Sequence, residues 1–304
     1  MRAILVGAVE STSVALRALA AAPDWTLAAL VTLPPELSAR HSDFVDLGEE
    51  ARALGAEVVH AAQCNEPAVL DRLRALAPDV ILVIGWSQLC GADFRAIAPL
   101  GTVGYHPAPL PRLRGRGVIP WTILLDEPIT AGSLFVIDEG TDSGPILAQH
   151  FLHVARDETA QTLYDKHMAA LATMLPPLLT RLAAGDAAGA PQDERYATYA
   201  ARRRPEDAEI DWRDDVATID RLIRACGEPY PGARTGSTGG MVTILAAERR
   251  PGRGHDAALP GQVVARDEAS FTVRCGDGEL LRVTRWQRDR PGPPPLHARL
   301  GQQA

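Results

Sequence analysis

The 304-residue sequence has no long basic run and no excess of positive charge, since 31 Lys and Arg residues face 38 Asp and Glu residues for a formal net charge of −7. Nucleic-acid-binding proteins usually carry a strong positive footprint, so this balance counts against such a partner while leaving a local patch open. No window approaches the roughly 18 apolar residues that a membrane-spanning helix needs. The short apolar N-terminus has no signal-peptide core behind it. We therefore expect a cytoplasmic protein with no membrane partner.

Cysteine and histidine spacing shows no metal motif. The four cysteines are scattered and none belongs to a C-x-x-C pair, so we interpret them as reduced thiols rather than a zinc site or a disulfide framework. All histidines but one also lack ligand spacing, and we expect no bound metal. These are His41, His60, His150, His153, His167, His255 and His297.

The glycine fingerprint of dinucleotide-binding enzymes is missing as well. The first apolar strand, predicted over residues 2–6, ends at Gly7, but Ala8, Val9 and Glu10 follow in place of a G-x-G-x-x-G motif. The opening strand–helix–strand pattern is nonetheless that of a βαβ unit. It predicts a Rossmann-like start without a nicotinamide cofactor.

The first half of the chain alternates apolar strand-like runs with amphipathic segments. The run Val80–Ile84 is continuously apolar, as expected for a central parallel strand buried on both faces. The predicted fold class is α/β, with a Rossmann-like, mostly parallel sheet that carries helices on both faces.

Helix limits are predicted from cap residues and prolines. Ser11 or Thr12 is expected to cap the first helix, and Asn65 a later one. A long helix over residues 159–184 is expected to kink or break at Pro176-Pro177, because proline removes a backbone donor.

The domain organisation follows from changes in composition. Residues 1–185 are expected to form the main domain, and the polar residues 186–209 a linker. Short strand-like segments between Gly-rich turns then predict a small β-rich, barrel-like domain over residues 210–290. The Pro-rich residues 291–304 are expected to be a flexible tail.

The strongest candidate for chemistry is His106, which follows the apolar run Gly101–Tyr105 and opens a proline-rich loop. In open parallel sheets, ligands bind at the carboxyl ends of strands. Imidazole titrates near neutral pH and serves as a general acid or base. Spacing alone fits equally a histidine that only hydrogen-bonds its own loop, and the position at a strand end is what favours a catalytic role.

Asp142 is the expected partner of His106. Aspartates in Asp-x-Gly sequences commonly only stabilise a turn, but this one follows a predicted strand and can reach the same sheet edge. Arg112, Arg114 and Arg116 are interpreted as solvated loop charges rather than an anion site. A phosphate-bearing substrate would reverse that preference, because guanidinium groups match phosphate geometry.

Two stretches resemble folate-dependent formyltransferases. The sequence that starts at His106, HPAPLPRLRG, resembles the His-Pro-Ser-Leu-Leu-Pro-x-x-x-Gly loop of that family, and residues 132–144 resemble its second active-site signature. Ile210-Asp211-Trp212 and the turn at Arg224–Gly232 are similar to the start of the C-terminal domain in methionyl-tRNA and sugar formyltransferases. The resemblance covers nearly the whole chain.

The resemblance implies transfer of a formyl group from 10-formyltetrahydrofolate to an amine, without a metal. His106 and Asp142 match the catalytic pair of the family. The residues implied to bind the pterin are Trp86, Ser87, Gln88, Leu89, Gly140, Thr141 and Asp142. Those implied to bind the acceptor substrate are Arg112, Arg114 and Gly115.

One position departs from the family pattern. The family usually has Asn-x-His, where the asparagine amide polarises the formyl oxygen, but here the position is Gly104. The missing donor is expected from protonated His106, Gln88, a backbone N–H or a water. Otherwise the reaction is slower, because one oxyanion donor can be worth roughly 2.7–4 kcal/mol.

The acceptor expected from the resemblance is the amino group of a nucleotide-linked amino sugar. Residues 39–47 resemble the sugar-type enzymes more than the basic insertion of the tRNA enzymes, and the net charge of −7 favours a small ligand. Initiator-tRNA formylation, another small amine and a non-catalytic folate-binding homologue remain open. A homodimer is also open, since sugar formyltransferases are often dimers.

Overall fold

The computed structural model describes residues 1–40, 43–254 and 257–301. The chain divides into two compact units. The first unit comprises Met1–Val118, Ile129–His153 and Asp165–Ala201, and the second comprises Ile119–Pro128, Val154–Tyr164 and Arg202–Ala304. Two short segments that precede residue 202 in the chain therefore belong to the second unit.

The first unit is organised around a large sheet. Its described strands are β1 Arg2–Val6, β2 Thr26–Thr32, β3 Glu57–His60, β4 Val80–Val83, β5 Thr102–His106, β6 Arg114–Gly115, β7 Ile129–Val136, β8 Ile146–His153 and β9 Tyr199–Ala200. Seven of them form one sheet in the order β3-β2-β1-β4-β5-β7-β8. The first five strands pair in parallel, whereas β7 and β8 are antiparallel. The short strands β6 and β9 form a separate parallel pair. The predicted mostly parallel sheet is confirmed.

Helices cover both faces of this sheet, as predicted. The described helices of the chain are α1 Glu10–Ala21, α2 Gly48–Ala53, α3 Pro67–Ala75, α4 Ala92–Arg95, α5 Val118–Leu124, α6 Ala160–Ala183 and α7 Val216–Cys226. Side chains alternate along β1, so Ala3 and Leu5 share a core with α1, α2 and α6, while Ile4 and Val6 share one with α3 and α4. This is why the four buried positions of the strand, residues 3–6, are all apolar.

Two helices begin at other residues than the expected caps. α1 follows Val9, so neither Ser11 nor Thr12 is its cap residue. Thr12 Oγ1 accepts the Val9 N–H at 3.1 Å and donates at 2.7 Å to the carbonyl that follows β4. α3 follows Glu66 rather than Asn65. Thr12 combines a local bond at the start of the helix with a bond to a distant carbonyl, and Asn65 bonds to the backbone of the loop after β4.

α6 continues through Pro176 and Pro177, so the break expected there does not occur. Leu171, Leu175 and Leu178 lie in the core of the first unit on either side of the prolines. Burial of such an apolar face supplies most of the stability of a helix in a protein and outweighs the two missing N–H donors.

The second unit contains the predicted β-rich domain. Its strands are β10 Ala233–Ser237, β11 Gly240–Arg250, β12 Val263–Arg266, β13 Phe271–Arg274 and β14 Leu280–Arg288. They form an antiparallel sheet in the order β10-β11-β14-β13-β12, with Ile219 and Ile223 of α7 in the same core as Phe271. β10 was not predicted, because Thr235 and Ser237 occupy two of its three buried positions and only Ala233 is apolar.

The end of the chain returns to this sheet. Within the stretch expected to be a flexible tail, His297 N–H donates to the Val263 carbonyl and Leu300 N–H to the Gly261 carbonyl, and the Leu300 side chain is buried. None of the helices in the described ranges has both the length and the hydropathy that a membrane crossing requires.

Candidate active site

His106 is the last residue of β5, and its side chain is only 7% exposed. Its Nε2 lies 2.7 Å from the carbonyl oxygen of Leu113. A carbonyl oxygen only accepts hydrogen bonds, so Nε2 carries the hydrogen. The other nitrogen, Nδ1, lies 3.6 Å from Oδ2 of Asp142. Nδ1 is therefore the atom through which His106 can take up and release a proton.

Asp142 reaches His106 through a loop and not through the end of a strand. β7 runs against β5, and His106 pairs with Ser133, well before β7 ends. β7 therefore ends beside the start of β5, at the edge opposite to His106. The loop of residues 137–145 brings Asp142 back to the imidazole. The sequence correctly paired the two residues, but the reasoning that a strand end delivers Asp142 to that edge was wrong.

The Asp142 carboxylate is held by the backbone of Gly115, at a point where two backbone segments lie close together. Oδ2 accepts the Gly115 N–H at 2.7 Å. Gly115 has a φ of 109°, and a Cβ at this position would lie 2.6 Å from the Ala200 carbonyl oxygen. Only glycine fits both requirements, so this residue allows β6 to lie against β9 while it donates to Asp142.

The first expected pterin loop, residues 86–89, follows β4 at the carboxyl edge of the sheet. Asn65 fixes this loop, because its Nδ2 donates to the Leu89 carbonyl and its Oδ1 accepts the Gly91 N–H, both at 2.7 Å. Gln88 Nε2 also donates to a backbone carbonyl of the turn before Asn65, at 2.7 Å. The Leu89 side chain is 77% exposed. The loop thus offers an apolar surface on an anchored backbone.

The second expected pterin loop contains Gly140 and Thr141. Asp138 Oδ1 accepts the Gly140 N–H at 3.0 Å and the Ser143 hydroxyl at 2.7 Å. These bonds form a turn in which a carboxylate orders the backbone that follows it. Thr141 is exposed at its tip.

Arg114 is buried, whereas the sequence led us to expect a solvated or substrate-binding arginine. Its side chain is 1% exposed. Nε and Nη2 donate to Gln192 Oε1, Nη1 and Nη2 donate to the Glu194 carboxylate, and Nη1 also donates to the Tyr199 hydroxyl. These contacts use all five N–H groups of the guanidinium and leave none for a substrate.

The two neighbouring arginines lie at the surface. Arg112 and Arg116 are exposed. Arg116 Nη2 donates to the Ser87 carbonyl at 3.1 Å, which joins the His106 loop to the 86–89 loop.

An aromatic ring fills the space beside Gly104. A Cβ built on Gly104 would lie 2.9 Å from Cε1 of Phe135 and 3.0 Å from Cγ1 of Ile137. Phe135 pairs with Gly104 across β5 and β7. The asparagine usual at this position has no room here.

Sequence reasoning missed two residues that support the loop after His106. Ser133 Oγ donates to the Ala108 carbonyl at 2.7 Å, and Gln149 Nε2 donates to the Leu110 carbonyl at 3.1 Å. Both hold the proline-rich loop from the neighbouring strands. A polar side chain inside a predicted apolar strand was the signal that could have found Ser133.

A buried histidine lies on the opposite face of β5. His167 is fully buried, and its Nδ1 lies 3.1 Å from the Tyr105 hydroxyl. Burial, together with the nearby charge of His106, lowers the pKa of His167 to about 3. Burial also raises the pKa of Tyr105. Both side chains are therefore neutral near neutral pH.

Some expectations fall on residues that the structure does not describe. His41 and Ser42, within the segment compared with sugar-type enzymes, and His255 lie outside the described ranges. Across those ranges, no three His, Cys, Asp or Glu side chains are grouped to hold a metal ion. The four cysteines are free thiols, and all are buried.

Family models match both parts of the chain. The model described as formyl transferase matches residues 28–179, and the model described as the formyl transferase C-terminal domain matches residues 203–293. The chain belongs to the formyl transferase family. The resemblance stated from the two signatures is confirmed.

Solved structures with the same fold include three different proteins. HypX from Aquifex aeolicus in complex with tetrahydrofolic acid has a TM-score of 0.68 and 19% identity over 95% of this chain and 44% of its own. An N-formyltransferase from Helicobacter canadensis, in complex with folinic acid and dTDP-3-aminofucose, has a TM-score of 0.67 and 14% identity over 93% of this chain and 98% of its own. Glycinamide ribonucleotide transformylase 1 from Symbiobacterium toebii has a TM-score of 0.52 and 20% identity over 61% and 88%. This chain spans less than half of HypX, and these likenesses concern the fold.

Proposed function

We propose that the protein transfers a formyl group from 10-formyltetrahydrofolate to a primary amine, with His106 and Asp142 as its catalytic residues. The observation that carries the proposal is their pairing, with Nδ1 3.6 Å from Oδ2, in a chain of the formyl transferase family. Two structures of the same fold contain tetrahydrofolic acid or folinic acid, which supports a folate donor.

The two anchored loops fit the proposed donor. A pterin is a flat ring with polar edges, and its recognition requires backbone donors and acceptors beside an apolar surface. The loops of residues 86–89 and 140–142 supply backbone groups held by Asn65 and Asp138, and Leu89 supplies exposed apolar surface. We assign the donor to these loops and the acceptor to the neighbourhood of Arg112 and Gly115.

The proposed reaction moves one proton while one C–N bond replaces another. The acceptor nitrogen bonds to the formyl carbon, and the bond between that carbon and the folate nitrogen breaks. His106 takes the proton of the acceptor amine at Nδ1 and delivers it to the departing folate nitrogen. Nε2 stays bonded to the Leu113 carbonyl, which fixes the ring during both transfers. Asp142 faces Nδ1 and stabilises the imidazolium.

The developing charge on the formyl oxygen requires a donor other than residue 104. Gln88 points its amide at the turn before Asn65, and Phe135 closes the space beside Gly104. We therefore assign this role to protonated His106 or to a backbone N–H at the loop ends. Holding both substrates beside these groups makes the reaction nearly intramolecular.

A nucleotide-linked amino sugar is the acceptor that we favour. The Helicobacter canadensis structure, which matches over both parts of this chain, contains dTDP-3-aminofucose. Several arginines of the second unit are paired with acids, as in Arg249 with Asp220 and Arg285 with Glu228. Paired arginines offer fewer charges to phosphates, which counts against initiator tRNA. Another small amine, a cytoplasmic location and a homodimer remain predictions.

The test is a folate-release assay with 10-formyltetrahydrofolate and separate acceptors. Purified protein is supplied with nucleotide-linked amino sugars, simple amines or methionyl initiator tRNA. We expect turnover with an amino sugar, and its loss in His106→Ala and Asp142→Ala. His150→Ala, which changes an exposed histidine of β8, is the matched control and should retain wild-type turnover. Wild-type transfer by both active-site variants would contradict the catalytic roles of His106 and Asp142. Turnover with tRNA alone would show that the acceptor is tRNA and not an amino sugar.

A further inference from the structure

The side-chain amide of Gln192 joins the two loops that carry His106 and Asp142. Its Oε1 accepts from Arg114 Nε at 3.1 Å and from Nη2 at 2.8 Å. Its Nε2 donates to the backbone carbonyls of Asp142 at 2.8 Å and Gly144 at 2.7 Å. Arginine only donates and carbonyl oxygens only accept, so the orientation of the amide is fixed.

The arginine at one end of this link belongs to a tripeptide that contacts both catalytic side chains. The carbonyl of Leu113 is the partner of His106 Nε2, and the N–H of Gly115 donates to Asp142 Oδ2. Arg114, between them, is buried and fully hydrogen-bonded. The tripeptide thus holds His106 in place. Gln192 connects this tripeptide to the backbone of the Asp142 loop.

At its other end, Gln192 holds a stretch of backbone in a conformation that is unfavourable by itself. Asp142 has a φ of 52°, in the left-handed region that most residues avoid. The two carbonyls that accept from Gln192 flank Ser143. Asp142 is consequently held twice, by its carboxylate at Gly115 and by its carbonyl at Gln192.

We propose that Gln192 is a positioning residue that fixes the approach of the Asp142 carboxylate to Nδ1 of His106. It acts through the backbone on either side of Ser143. The kinetic test of this inference rests on the proposed formyl transfer. A spectroscopic test rests only on the geometry of His106 and Asp142.

Two substitutions separate the ends of the link. Gln192→Glu keeps an oxygen acceptor for Arg114 but replaces the Nε2 donor by an oxygen that repels the two carbonyls, and Gln192→Met removes both sets of bonds. Arg195→Gln is the matched control, because Arg195 pairs with Asp193 at the surface three residues away. Thermal melting defines the folded fraction of each variant.

For Gln192→Glu we expect a kcat reduced by about 10- to 100-fold and a donor KM within about 3-fold of wild type, since a small misplacement of catalytic groups costs rate more than binding. The ring-nitrogen NMR signals of His106, assigned by their loss in His106→Ala, should move in both Gln192 variants. Arg195→Gln should match wild type in both measurements.

The inference is overturned if folded Gln192→Glu retains both wild-type kcat and wild-type His106 signals. It is also overturned if kcat falls only in proportion to the unfolded fraction while the His106 signals stay in place. If wild-type protein transfers formyl to no acceptor, the proposed function fails, but the NMR signals of His106 still test the positioning role of Gln192. Their movement in the variants supports the positioning role, and their constancy refutes it.

Discussion

The ring of Phe135 stands where a side chain of residue 104 would begin, with Cε1 2.9 Å from the position of a Cβ on Gly104. The two residues face each other across β5 and β7. The absence of a side-chain amide at residue 104 and the position of the Phe135 ring therefore depend on each other. Changing either residue alone should lower the stability of the fold.

The first prediction concerns this pair. Gly104→Asn should lower the free energy of unfolding by about 1–3 kcal/mol, because it overpacks a filled core. Phe135→Ala alone should cost about 3–5 kcal/mol through the cavity that it leaves. The double variant should lose clearly less than the sum, since the new side chain partly fills that cavity. Urea denaturation of the four proteins measures the coupling, and strict additivity would contradict the contact.

A second prediction concerns the anchor of the 86–89 loop. Asn65→Ala removes the bonds to Leu89 and Gly91. We expect the KM for 10-formyltetrahydrofolate to rise about 10-fold with kcat nearly unchanged, because uniform binding is lost and the catalytic pair is untouched. Steady-state kinetics measure both constants, and Asn65→Asp, which keeps the acceptor for the Gly91 N–H, should fall between. A lower kcat at an unchanged KM would place this loop elsewhere in the reaction.

A third prediction separates the structural arginine from its exposed neighbour. Arg114→Met should lower both Tm and kcat, because it removes a buried guanidinium with five donors that bond to Gln192, Glu194 and Tyr199. Arg112→Met should leave Tm unchanged, since surface charges contribute little to stability, and should raise the acceptor KM. Differential scanning calorimetry and kinetics on both variants provide the comparison. Equal Tm values for the two variants would show that the burial of Arg114 is not what holds the loop.

A fourth prediction follows from the low pKa of about 3 that burial gives His167. In the unfolded chain a histidine has a pKa of about 6.5. As the pH falls below that value, the unfolded state binds the proton first, so the stabilising contribution present above pH 6.5 is lost progressively towards pH 3. This histidine should contribute up to about 1.4 kcal/mol per pH unit to the slope within that window.

The measurement is the free energy of unfolding from pH 7 to pH 4 in wild type and His167→Gln. The glutamine keeps a hydrogen-bonding group near Tyr105 but cannot titrate, so its slope should be shallower. His150→Gln, at an exposed site, should retain the wild-type slope. Parallel curves for wild type and His167→Gln would show that His167 does not titrate between the two states.

Much of the fold could be predicted because its signals are local. The apolar run at Val80–Ile84 and the alternation around it predicted a buried parallel sheet, and the run before His106 predicted that this residue lies at a strand end. β4 ends one residue before the apolar run Val80–Ile84 does, since the pairing in the sheet and not the hydropathy ends a strand. Asn65 resembles a cap in sequence, but its side chain bonds to a distant backbone, and Thr12 bonds both to the nearby Val9 N–H and to a distant carbonyl.

The remaining features of the site depend on residues far apart in the chain. No spacing rule connects Arg114 with Gln192, and the polar stretch around Gln192 looks like a linker. Likewise, the antiparallel course of β7 decides that Phe135 meets Gly104 and that a loop must return Asp142 to His106. Such pairings are set by tertiary register, which one sequence does not reveal.

The pairing of β6 with β9 has a consequence for the order in which the candidate site is assembled. Residues 114 and 115 cannot pair with residues 199 and 200 until those residues have been synthesised. Gln192 is synthesised only shortly before residues 199 and 200. A nascent chain that has emerged as far as residue 185 holds every strand of the large sheet, together with His106, Asp142 and the Ser133 and Gln149 contacts to the proline-rich loop. It lacks the β9 pairing and the Gln192 bonds to the Asp142 loop. Catalytic competence should thus appear on the ribosome later than the sheet itself, at a point where contacts distant in sequence close.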